Sequence, residues 1–104
     1  MVKLITVYWR DIPVQVMAKS GRETTKVKLS QRFMTAVDRA AMRAHKADAD
    51  AYLAEWRRVS STHEGDNPQA EVTAEASRIE QAYSDERLDR LARAGGLLSD
   101  AEAR

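Results

Sequence analysis

The chain's two histidines, His45 and His63, each have acids close by: Asp48 and Asp50 follow the first, Glu64 and Asp66 follow the second. Such groupings are the raw material of metal sites and of acid–base pairs. A metal needs three or four ligands converging from fixed elements, and neither His45-x-x-Asp48-x-Asp50 nor His63-Glu64-x-Asp66 has a spacing known to supply them. Asp48-x-Asp50 also lacks the glycine and the distant bidentate glutamate of a calcium loop. Both clusters read as a helix-end histidine, solvated loop acids and helix caps, and no metal is expected. Ser60, Ser61 and Thr62 adjoin His63, but neighbours on an extended chain point to opposite faces, and no strained elbow holds a nucleophile. Gly95-Gly96 follows a helical pattern instead of opening one, which makes it a C-cap and not a phosphate cradle. With no cysteine, thiolate zinc sites, iron–sulfur ligation and disulfides are all excluded. No motif states a reaction, no catalytic residue is assigned and no cofactor is expected.

Charge and aromatic residues offer more. Lys and Arg number 17 against 16 Asp and Glu, yet residues 1–46 hold ten basic and three acidic side chains and the remainder seven and thirteen. In so short a chain the two parts must fold against each other, so most of this asymmetry is expected to cancel internally. Arg32, Arg39, Arg43 and Lys46 fall on nearly one line of a helix. With Lys19, Arg22, Lys26 and Lys28 they form the best footprint for an anionic partner, and Tyr8, Trp9 and Trp56 could stack bases. Trp-Arg also occurs twice, as Trp9-Arg10 and Trp56-Arg57. Core packing is expected of at least one of these tryptophans, but a surplus exposed tryptophan beside arginine is what interface anchors look like, so Tyr8, Trp9, Arg10, Asp11, Trp56 and Arg57 are the expected partner-binding residues. On that reading Arg10→Ala leaves the fold nearly unchanged.

The elements that must position these residues follow from patterning. Lys3 to Trp9 is rich in β-branched and aromatic residues and reads as a strand, turned by Arg10-Asp11-Ile12-Pro13 into a second strand with Val14, Val16 and Ala18 on one side. Tyr8 and Trp9 are adjacent on the first strand, so one must face away from the helices and needs cover, unless a bulge intervenes. Glu23 to Leu29 is polar and stays unassigned. Ser30 caps a helix to about Ala44–Lys46, with Phe33, Val37, Ala40, Ala41 and Ala44 as its apolar stripe. Residues 51–59 fit either a strand or a helix face. They are read as a third strand, because a two-stranded hairpin alone is marginal in water. Asp66 or Asn67 caps a second helix carrying Val72, Ala76, Ile79 and Tyr83. Ser84 starts a short third helix with Leu88 and Leu91. The expected fold is a single α+β domain over residues 1–98, a two-layer β-β-α-β-α sandwich of three mostly antiparallel strands under two main helices, with a short C-terminal helix and a frayed tail at 99–104.

The run Leu4-Ile5-Thr6-Val7-Tyr8-Trp9-Arg10-Asp11-Ile12-Pro13, with Arg32-Phe33, Ala36-x-Asp38-Arg39-Ala40-Ala41-Met42-Arg43 and Asp50-Ala51-Tyr52-Leu53-Ala54-Glu55-Trp56, resembles the small bacterial family labelled "virulence factor". The domain of that family also occurs within conserved virulence factor C. The resemblance covers about the first 95 residues and transfers no catalytic residue. Stand-alone members are often encoded beside folate and corrinoid one-carbon methyltransfer enzymes, which implies an accessory subunit of such a system. The combined expectation is a non-catalytic cytoplasmic protein-interaction module with no membrane association. The alternative is nucleic-acid binding through the basic face of the first helix.

Overall fold

The computed structural model describes residues 1–65 and 67–98; Asp66 and the expected tail at 99–104 lie outside them. Among the described residues, four strands and four helices follow one another as β1 (Val2–Trp9), β2 (Ile12–Ser20), β3 (Glu23–Lys28), α1 (Gln31–Arg43), α2 (Ala49–Ala54), β4 (Trp56–His63), α3 (Pro68–Ala82) and α4 (Asp85–Arg93). All strands lie antiparallel in one sheet of order β3-β2-β1-β4. The class is α+β, as expected, but the sheet has four strands where three were expected.

The additional strand is the unassigned segment. Thr25 and Val27 of β3 are half-buried while Thr24, Lys26 and Lys28 are exposed, the alternation of an edge strand whose outer face carries charge. The expected third strand also begins later than residue 51. Residues 49–54 form α2, started by the Asp48 side chain accepting from the Ala51 amide at 3.1 Å, and the strand runs from Trp56. Periodicity over so few residues fits both states, and the cap at Asp48 favours the helix.

One face of the sheet is covered by α3, whose Val72, Ala76 and Ile79 share a core with Leu4, Val16 and Ala18. Spacings of four and three put those three residues on one stripe. Helix α1 packs against β2 and α4, with Phe33, Ala36, Val37, Ala40 and Ala41 buried. Ser30 precedes α1 without a side-chain cap: its hydroxyl bonds Glu80 of α3 instead. Asn67 and Ser84 do cap α3 and α4, accepting from the Ala70 and Arg87 amides.

Candidate functional site

The Tyr8-Trp9-Arg10-Asp11 run sits where β1 turns into β2. A register shift between Val7 and Tyr8 marks a bulge there, and both aromatics find cover. Trp9 is fully buried: its indole stacks on Tyr52 of α2 at 5.8 Å and donates to the Tyr52 carbonyl at 2.9 Å. Trp56, paired directly with Trp9 across β1 and β4, meets the same tyrosine edge-on at 5.7 Å. Trp9 is therefore a core residue and offers no ring to a partner, a correction to its expected role. The cover comes from α2 and from Gly96, where a Cβ would lie 3.1 Å from the indole.

Arg10 is also largely spoken for. It occupies the left-handed region at φ 53°, which non-glycine residues adopt at a cost that surrounding contacts must offset. Its amide donates to the Glu55 carbonyl at 3.0 Å and its guanidinium to the Gly95 carbonyl at 3.0 Å. The buried Nε lies 3.3 Å from a Glu55 carboxylate oxygen without hydrogen-bond alignment. Asp11 completes the tie: one carboxylate oxygen accepts from the Leu98 amide, the other from Arg57, and its own amide donates to Gly96. Arg57 also donates to the Arg10 carbonyl and lies over the Tyr8 ring at 4.7 Å. Of the six expected partner-binding residues, Trp9, Arg10 and Asp11 thus bind the chain's own C-terminal segment, whereas Tyr8, Trp56 and the exposed Arg57 reach the surface at the foot of β4. Spacing alone could not reveal this tie, because its partners lie more than 80 residues away.

The basic line on α1 is mostly neutralised from within. Arg32 donates to the carbonyls of Tyr83 and Glu80 and pairs with Glu80 and Asp85; Arg39 pairs with Asp89 at 2.7 Å, and Lys46 stands 3.7 Å from Glu55. Arg43 alone of the four makes no such pair among the described residues. Partial burial pushes the Glu80 carboxyl up, but the Ser30 amide and hydroxyl and the Arg32 guanidinium together hold it below its ordinary value. A carboxylate with a lowered folded-state pKa contributes stability that is present above the unfolded value, 4.5, and lost as pH falls through the folded value. Glu80→Gln is accordingly expected to be less stable than the parent at pH 7, with the gap narrowing below pH 4.5. Denaturant titrations at neutral and acid pH read that convergence.

The sheet has a second face, buried at its centre and lined by exposed polar and basic residues. Ile5 and Met17 are buried but outside the helix-packed core, and strand alternation sets them on the face opposite Leu4, Val16 and Ala18. Register lays out this second face in rows: Thr62, Lys3, Lys19 and Thr24; then Ser60, Ile5, Met17 and Lys26; then Arg58, Val7, Gln15 and Lys28. At its foot lies a cleft of about 320 Å³, bounded by Val7, Gln15, Lys28, Met34 and Trp56. Strand β4 is an edge, exposed on both sides from Arg57 to His63. Among the described residues no group of three His, Cys, Asp or Glu could hold a metal ion, and His63 bonds Ser61 at 2.9 Å. No helix of the described residues is long and apolar enough to cross a membrane.

Fold and surface define a small α+β domain whose four-stranded antiparallel sheet packs α3 against one face and carries a row of exposed cations on the other. The family model described as "Virulence factor" matches residues 7–92, and the chain belongs to that family. No curated protein and no solved structure matches it. The match takes in the bulge, the Trp9-Arg10-Asp11 turn, α2 and β4 but stops short of Gly95 to Leu98, which the turn binds.

Proposed function

We propose that the chain is a non-catalytic protein-interaction module, an accessory subunit that docks on a partner protein along β4. The observation that carries this reading is the strand's exposure: eight residues long, with Val59 44% exposed and every residue after Trp56 open to solvent. An unprotected edge of this length presents unpaired amides and carbonyls, and natural proteins blunt such edges unless another chain is to pair with them. Between Val59 and Thr62 it has no proline, lysine or acid. The remainder of the expected anchor set, the exposed Arg57 and the half-buried Trp56 and Tyr8, lies at the Trp56 end of this strand, where aromatic and arginine side chains anchor an interface. The family resemblance makes an enzyme of one-carbon methyltransfer the first partner to test, with the chain supplying binding and not chemistry.

Tagged chain purified from its native organism at low salt is expected to retain one defined partner. The double variant Val59→Lys/Ser61→Lys, altered only at exposed positions, is expected to fold normally and to lose that partner by roughly tenfold or more. A partner held equally by both forms, or recovery of free chain alone, overturns the reading.

A further inference from the structure

We infer that the basic sheet face opposite α3 is a binding surface for single-stranded nucleic acid, adjoining the β4 edge but not using the side chains of Val59 and Ser61. Its rows contain Lys3, Lys19, Lys26, Lys28 and Arg58, the hydroxyls of Thr24, Ser60 and Thr62, the Gln15 amide and three aliphatic side chains, and no acid. Elsewhere Arg32 and Arg39 of α1 meet carboxylates of the same chain. These five cations make no ion pair among the described residues. Lys3 and Lys19 stand directly opposite each other, a like-charge placement that works against the sheet. Five mutually repelling cations on one face are the complement of a polyanion.

The chemistry of the anion follows from what else the face offers. A protein partner needs an apolar centre to bury, and here the apolar centre is already shut, with Ile5 4% and Met17 6% exposed. The accessible groups are cations and neutral donors, which suit phosphate and sugar oxygens. Residues two apart along a strand are separated by about 6.6 Å, close to the spacing of successive phosphates on an extended strand. The cleft at the foot of the face adds a place for a base: the half-buried Trp56 ring and Met34 form walls, and the Gln15 amide and Lys28 border it. Base–aromatic stacking beside a basic track is how single strands are held without a paired helix. A duplex has its bases enclosed and leaves such a cleft unused.

The test is fluorescence anisotropy of a labelled uridine homopolymer RNA with the full chain, across a salt series. Binding is expected at low ionic strength, with the logarithm of affinity falling linearly in log salt at about −0.7 per phosphate contact, approaching about −3.5 with all five cations engaged. Lys26→Glu/Lys28→Glu, on the exposed edge strand, is expected to weaken binding at least about tenfold and to flatten the slope by roughly 1 or more. Lys19→Glu places a carboxylate opposite Lys3, so it should raise Tm while lowering RNA affinity. That opposition distinguishes a binding surface from a structural one. Arg43→Glu, on α1, should leave affinity unchanged. No binding at the lowest salt, binding lost with Arg43→Glu but kept by the sheet variants, or capture of phosphatidylserine vesicles without RNA each overturns the inference. Because these variants leave β4 unaltered at Val59 and Ser61, partner capture through the edge can fail or survive independently of the RNA result.

Discussion

Phe33→Ala is expected to lower Tm by upward of roughly 12 °C, from a stability loss of about 3–5 kcal/mol. The ring is fully buried on α1, meets Tyr83 edge-on at 5.8 Å, and carries the Arg32 guanidinium 4.7 Å from its centroid. Truncation removes the largest apolar group that α1 contributes. It leaves a void that Ala36 and Val37, themselves small and buried, cannot fill. It also removes the surface against which Arg32 lies while that side chain links α1 to α3 and α4. Met42→Ala, on the same helix but 71% exposed, is the control and should change stability by less than about 0.5 kcal/mol. A Phe33→Ala melt close to the parent's would mean that α1 is not held by this contact.

Arg10→Ala is expected to cost about 2–4 kcal/mol, in contrast to the near-neutral effect its sequence context suggests. Its side chain is 13% exposed, so the loss is that of a largely desolvated group. Removal leaves the Gly95 carbonyl without its guanidinium donor and leaves Glu55 with only the longer Lys46 contact. Arg10→Gly separates the components: it eliminates the same guanidinium but relieves the left-handed backbone at φ 53°, and should therefore be the more stable of the two variants. If Arg10→Ala melts with the parent while partner capture falls, the residue belongs to an interface after all.

These contrasts mark where sequence reasoning reaches. The amphipathic stripes of α1 and α3 and the β1–β2 hairpin were legible because their signal is local and repeated over many residues. So was the alternative at Tyr8 and Trp9, a bulge or outside cover: the register shifts between Val7 and Tyr8, and Tyr52 and Gly96 cover Trp9. Strand β3 was hidden by its charge: an edge strand covered on one face needs few apolar residues, and Thr25 and Val27 are a faint alternation. Residues 51–59 hold a helix and the start of a strand within a span too short for either period to establish itself. The candidate surfaces were legible in composition but not in placement. The lysines at 19, 26 and 28 belong together because β2 and β3 pair, whereas the arginines of α1, equally aligned in sequence, meet Glu80, Asp85 and Asp89 that only the fold brings near. The structural duty of Arg10 and Asp11 had no sequence signal, since it rests on carbonyls and amides, which every residue carries.

That duty bears on how the chain is made. Arg10 and Asp11 close onto Gly95 and Leu98 across separations of 85 and 87 residues, and β1 waits for β4, more than forty residues downstream, to cover its second edge. A ribosome delivers these partners in the opposite order to the one in which they are needed. While the β1–β2 hairpin is already outside the exit tunnel, its turn has nothing to hold and one side of β1 is bare. Native closure can come only after the segment that completes it has been released, so a nascent chain stalled before Gly95 should be a substrate for chaperones and proteases even though almost every element of the fold has been synthesised.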